Sequence, residues 1–170
     1  MKLKLLFIAL LACFAGWGQV NITPTHTGTI TSFPNWTHTS CTTAAASSND
    51  YVKMVTASSK LITPLLDFTI YSLKKLNFKA GSFGTVTDPK KTVTVSISIN
   101  NGTSWTVLGT RIPSSSTISS VAEFDIESYS SNQVLIKIET LGADGSNGLR
   151  IDDVSITGNS TPTSTTYTTS

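Results

Sequence analysis

Thr92-Val93-Thr94-Val95-Ser96-Ile97-Ser98-Ile99 alternates without a break between a small hydroxyl and a β-branched apolar side chain. Successive side chains of a strand point to opposite faces, so Val93, Val95, Ile97 and Ile99 share one face and the hydroxyls share the other. This is the pattern of a half-buried strand. Asn100-Asn101-Gly102 follows, residues that tolerate positive φ, and Trp105 and Val107 resume the alternation within Ser104 to Leu108. The stretch predicts a β-hairpin.

Working outward, further strands are expected at Tyr51 to Ala57, Lys60 to Thr63, Leu73 to Ala80, Val121 to Ile126, Val134 to Thr140 and Leu149 to Thr157. Leu76 and Phe78 share a face in the third of these, and Val134, Ile136 and Ile138 in the fifth. Nothing after the amino-terminal leader sustains apolar residues at helical spacing. The expected class is all-β: an antiparallel β-sandwich, with roughly eight strands favouring a jelly roll of two Greek keys. In the last strand Leu149 and Ile151 have one parity, Val154 and Ile156 the other. A β-bulge at Asp152-Asp153 would return all four to the core and expose the two carboxylates. Asp144-Gly145-Ser146-Asn147-Gly148 lacks the spacing of an EF-hand loop and reads as a tight turn.

Residues 1–19 carry Lys2 and Lys4, an apolar run from Leu5 to Ala15, then Gly16-Trp17-Gly18-Gln19, the order of a secretory signal cleaved near Gln19. The competing reading is a lipoprotein signal, with Leu10-Leu11-Ala12 preceding Cys13. The apolar run is shorter than the ~20 residues of a spanning helix. Residues 20–48 are expected to be an irregular segment with a first strand, 49–158 the sandwich module, and 159–170 a Ser/Thr/Pro-rich linker. A linker in that position implies fusion to further domains and a truncated chain.

The chain has 12 Lys and Arg against 10 Asp and Glu, and losing Lys2 and Lys4 with the leader leaves 10 of each. A neutral domain with scattered lysines lacks the basic footprint that phosphate-backbone binding needs, which argues against nucleic acid as a partner. Cys41 is the one cysteine left after leader removal and reads as a buried small hydrophobe.

Catalytic material is sparse. His26 and His38 are the only histidines, too few for a zinc hydrolase, and neither sits in a recognisable triad pattern. The His38-Thr39-Ser40-Cys41 cluster offers a thiol beside a base, and Glu123, Asp125, Glu127 and Glu139 offer strand carboxylates. Exposed positions on a sandwich explain the carboxylates more simply. Among the aromatics, Trp105, Tyr129 and Trp36 are the candidate ligand-binding rings, because such rings stack on sugar C–H groups and hydrogen-bond at their edges. Core packing is the competing role for each.

Ile62-Thr63-Pro64, Leu76-Asn77-Phe78-Lys79-Ala80, the Val93 to Thr106 hairpin and Gly148-Leu149-Arg150-Ile151-Asp152-Asp153-Val154-Ser155-Ile156-Thr157-Gly158 together resemble the MAM-like and carbohydrate-binding jelly-roll modules of large secreted bacterial surface proteins. In such proteins the modules accompany nucleases, peptidases or glycosidases, commonly ahead of a C-terminal sorting domain. The resemblance implies a secreted or cell-surface, noncatalytic binding or accessory module, with a polysaccharide or cell-surface glycan as partner. A structural adhesion or spacer domain is the alternative, as is an accessory domain of a secreted hydrolase. The resemblance also implies a structural calcium ion beside the last strand, with Asp153 or Asp152 as ligand and Asn49 or Asp50 contributing.

Overall fold

The hairpin forms as β7 (Val93–Ser98) and β8 (Thr106–Arg111). Its turn places Asn101 at φ 53° and Gly102 at φ 83°. The Asn100 carboxamide closes the loop, its Oδ1 accepting from Ser104 N and Ser98 Oγ at 2.9 Å each. In this computed structural model the described residues are 19–23, 25–26, 33, 35–46, 49–83, 92–113, 116–121 and 123–160. The leader with Cys13, apart from Gln19, and residues 161–170 of the expected linker lie outside them.

The other strands are β1 (Gln19–Asn21), β2 (Thr37–Thr39), β3 (Cys41–Ala46), β4 (Asn49–Thr56), β5 (Lys60–Ile62), β6 (Tyr71–Phe83), β9 (Ser119–Ser120), β10 (Phe124–Asp125), β11 (Leu135–Thr140) and β12 (Asp144–Ser160). They form two antiparallel sheets packed as a jelly-roll sandwich. One has the order β10-β6-β12-β4-β3, with β1 added to β12 and β9 to β6; the other has the order β2-β5-β11-β7-β8. Leu61, Leu76, Ile136, Ile138 and Phe68 are wholly inaccessible between them. Each such side chain contributes about 1.5–3 kcal/mol on leaving water.

The bulge in the last strand is present. Register shifts between Asp152 and Ser155, and Asp153 takes φ 48°. Leu149, Ile151, Val154 and Ile156 are all brought to zero exposure. The bulge is tied locally by Asp152, whose Oδ1 accepts from Asp153 N at 2.8 Å.

Several expectations need adjustment. Residues 20–48, expected to hold an irregular segment and a first strand, supply residues of β1, β2 and β3, and Phe33 and Trp36 enter the core. Asp144 to Gly148 is the start of β12, with a register irregularity before Leu149, and not a tight turn. Among the described residues of Val121 to Ile126, the ladder pairs with β6 are those of Phe124 and Asp125, while Val121 N and Ile126 N donate to Phe78 O and Lys74 O. Finally, β7 is buried on both faces, Thr94, Ser96 and Ser98 included, while Ile99 falls beyond the strand end and is exposed. β12 also runs to Ser160, past the expected module boundary at Gly158.

Candidate functional site

Cross-strand register defines what the outer face of the smaller sheet carries. Ile97 and Val95 pair with Ile136 and Ile138 and point inward. Ser96 therefore points outward beside Lys137, and Thr94 beside Glu139. On the next strand Val107 lies opposite Ser96 and Thr110 opposite Thr94; on the other side Ile62 lies opposite Lys137 and Lys60 opposite Glu139. Thr106 pairs with inward Ile97, so Trp105 shares the outward parity of Val107.

Contacts agree with that parity. The Lys137 ammonium sits 4.9 Å from the centroid of the Trp105 ring, and 2.8 Å from Glu139 Oε1, with both charged side chains 18% exposed. Cation–π attraction and a partly desolvated ion pair thus hold one lysine and fix the ring. Gly102 leaves the loop close beneath the indole: a Cβ there would lie 3.8 Å from Trp105 Cζ2. Val107 is 61% exposed next to this cluster. The face combines a ring, an exposed apolar side chain, an ion pair and the exposed Thr110 hydroxyl, the mixture that receives the apolar and hydroxylated sides of a sugar.

The outer face of the larger sheet is differently occupied. Segment 116–118 lies across it, so close that a Cβ on Gly81 would meet Ser116 O at 3.0 Å and Ile118 N at 3.1 Å. Arg150 Nη1 donates to Ser116 O at 3.0 Å while its guanidinium covers Tyr51, and Lys53 lies over Phe83. Tyr51 and Phe83 are thus buried under cations.

The three candidate rings are not brought together. Trp36 is a correction: it is 6% exposed, inward of β2 at the opposite edge of the sheet from Trp105. Its indole N–H donates to His26 Nε2 at 3.1 Å, and its ring stands edge-on to Phe33 and His26, so no ring face is left for a ligand. Tyr129 packs half-buried against the core from the β10 to β11 connection. Of the three, Trp105 alone lies at the outer face, half-buried just ahead of β8. Lys137 and Val107 were not anticipated, and Glu139 was anticipated only as an exposed carboxylate. Their period-two spacing was visible, but the strand order that joins them to Trp105 was not.

Asp153 is drawn to a different cation from the expected one. Its Oδ2 lies 2.6 Å from Lys79 Nζ, whose ammonium the hydrogen bond and charge of Asp153 hold above its ordinary range. Asn49 and Asp50 open β4 opposite Ala46 and Ala45, but their side chains lie outside the described residues. Among the described residues no three His, Cys, Asp or Glu side chains converge. Asp153, the expected ligand, is thus paired with Lys79. Asp153→Ala is expected to lower the melting temperature slightly, and by the same amount in calcium and in chelator. A loss seen only with calcium would restore the ion.

Cys41 is half-buried, its Sγ donating to Thr39 O at 3.2 Å, and burial pushes its thiol up to about 11. The raised value keeps it protonated at neutral pH, and reactivity should climb only as pH approaches that value. His38 is exposed on the edge strand β2. Alkylation of folded protein at pH 8 is expected to be on the order of a hundredfold slower than that of an ordinary thiol. A rate matching free cysteine would return Cys41 and His38 to consideration as a reactive pair.

Fold and face together define a two-sheet antiparallel jelly roll with one partly open outer face. The K3 adhesin domain of Lys-gingipain from Porphyromonas gingivalis is similar with TM-score 0.57 and 13% identity, over 82% of this chain and 99% of that one. The CBM22-1 and GH10 modules of a Clostridium thermocellum endo-1,4-β-D-xylanase, complexed with xylohexaose, give 0.54 and 15%, over 84% of this chain but only 29% of that one. A family 29 carbohydrate-binding module from Piromyces equi gives 0.54 and 9%, over 84% and 91%. At such identities the likeness is one of fold. No protein-family model and no curated protein matches the sequence. Among the described residues, no helix is long and apolar enough to cross a membrane.

Proposed function

We propose that this chain is an exported, noncatalytic glycan-binding module that holds its ligand on the outer face of the β2-β5-β11-β7-β8 sheet. The observation that carries the reading is the Trp105, Lys137 and Glu139 cluster beside exposed Val107 on that face, while cations cover Tyr51 and Phe83 on the other. Trp105 and Val107 supply an apolar platform for the C–H side of a pyranose. Glu139 accepts and Lys137 donates to its hydroxyls. The leader pattern supports export, and the neutral charge after its removal favours an uncharged polysaccharide over nucleic acid. Fusion to a hydrolase or a surface protein fits a module that brings a partner domain to its substrate.

The likeness to an adhesin domain favours a second reading, a surface adhesion or spacer domain. One experiment separates the two. The secreted chain is screened on a glycan array and in pull-downs with insoluble polysaccharides, beside Trp105→Ala. The expected result is saturable binding that the variant weakens at least about tenfold, the scale of losing a desolvated stacking contact, with unchanged circular dichroism. Absence of binding to every glycan would leave the adhesion reading.

A further inference from the structure

We propose that the outer face of the smaller sheet continues past Trp105 to a second contact, built to take the acetamido group of an N-acetylated sugar. The proposal rests on the glycan-binding reading and names the substituent that the face selects. Leu66 and Val134 pair with each other and are buried, so their neighbours Leu65 and Leu135 stand side by side on the outward side. Leu65 is 53% exposed and Leu135 half-buried. Ile62, half-buried opposite Lys137, completes an aliphatic patch on the far side of that lysine from Val107.

The patch adjoins the Trp105 cluster. Leu135 pairs with Ser98, and the hairpin loop covers that serine, Gly102 N donating to Ser98 Oγ at 2.9 Å. A Cβ on Gly102 would stand 3.5 Å from Leu135 Cδ1 and 3.8 Å from Trp105 Cζ2, so leucine and indole lie against the same glycine. From β8 to the strand position of Leu65 is three strand spacings, about 14 Å. That is longer than one sugar ring. A ligand anchored on Trp105 therefore meets the patch with a neighbouring unit.

The two ends differ in chemistry. An indole offers a flat surface that suits the C–H side of a pyranose, whereas leucine and isoleucine end in branched methyls that cover no ring and gain most against another methyl. An unmodified pyranose carries none. The outward row goes on to Gln133 and Asp67, which the Leu66 to Val134 bridge sets opposite one another, both exposed. Asp67 is engaged locally, its Oδ1 accepting from Thr69 Oγ1 at 2.6 Å and Thr69 N at 2.8 Å, and those bonds hold its carboxyl below the usual range. Gln133 brings a carboxamide, a donor and an acceptor together. An acetamido group joins a methyl to an amide and so matches an aliphatic patch bordered by a carboxamide, its methyl on Leu65 and Leu135 and its amide toward Gln133. It is also uncharged, in keeping with a face whose Lys137 is paired with Glu139.

The test is a binding titration of the whole secreted chain with sugars that differ in this substituent alone: chitotriose against cellotriose, and N-acetyllactosamine against lactose. The acetylated member of at least one pair is expected to bind about tenfold tighter or more, the scale of one buried methyl and one hydrogen bond. Leu65→Ser, at an exposed position, should narrow that ratio about fourfold, and Gln133→Ala about fivefold. Trp105→Ala should weaken both members and keep the ratio, which separates the two ends of the face. Equal binding within each pair would overturn the acetamido proposal and leave the glycan reading standing. Binding of other glycans with none of these four would do the same, and an array with no bound glycan would remove both. A ratio unchanged in folded Leu65→Ser would also overturn the proposal.

Discussion

Trp36→Ala is expected to cost the fold about 4 kcal/mol and to leave glycan affinity unchanged. The side chain is 6% exposed, stands edge-on to two rings, and donates to His26 Nε2. Truncating a buried tryptophan loses its transfer energy and opens a cavity, in all about 3–5 kcal/mol. The loss is amplified by location. His26 N donates to Val154 O and Val154 N to His26 O, each at 2.9 Å, so this cluster fastens the amino-terminal segment to the bulged part of β12. For a domain of this size the melting temperature should fall by roughly 8–16 °C. Calorimetry and a binding titration below the new transition check both halves. A stable variant with lost binding would move the ligand face to Trp36.

Gly148→Ala is the second large effect, and its cause is contact with neighbouring atoms, since φ at Gly148 is not positive. A Cβ at this position would lie 2.2 Å from Met54 O on β4 and 2.7 Å from two ring atoms of Phe83 on β6. β12 runs between those strands, so relief on one side presses on the other. Overpacking usually costs about 1–3 kcal/mol, and a clash with backbone belongs at the upper end, roughly 6–12 °C in melting temperature. Adding Phe83→Leu should recover only part of the loss, because the Met54 carbonyl cannot step aside. Full recovery in the double variant would place the whole strain on the ring.

The two variants also show where the sequence was legible. Alternation in Val93 to Ile97 and Val134 to Ile138 is local, so strand identity and inward faces could be read directly, and the parity break at Asp152-Asp153 marked the bulge. Trp36 offered no such pattern. Its neighbours Phe33 and His26 are irregularly spaced, and only the pairing of His26 with Val154, far along the chain, makes that region core. Gly148 sat in a run of turn-forming residues whose composition outweighed the strand signal. Likewise Lys137 and Glu139 showed period-two spacing, but their meeting with Trp105 depends on β7 lying between β11 and β8. Such long-range pairing is set by how two apolar faces cover each other, which no local window contains.

Metal at the bulge illustrates a related limit. Two adjacent aspartates fit the composition of a cation site, and the bulge leaves Asp153 half-buried. The register of β6, however, sets Lys79 opposite Asp152, and its ammonium takes the neighbouring Asp153 carboxylate. Composition shows that charge is present; strand pairing decides what neutralises it.

The most direct test of a ligand on the smaller sheet is NMR mapping of the secreted chain with an oligosaccharide of the polysaccharide it retains. The Trp105 indole N–H and the amides of Val107, Lys137 and Glu139 are expected to shift together with one affinity, while the buried Trp36 indole stays in place. Shifts confined to Tyr51, Phe83 and Arg150 on the larger sheet, or an unmoved Trp105 at saturation, would contradict it.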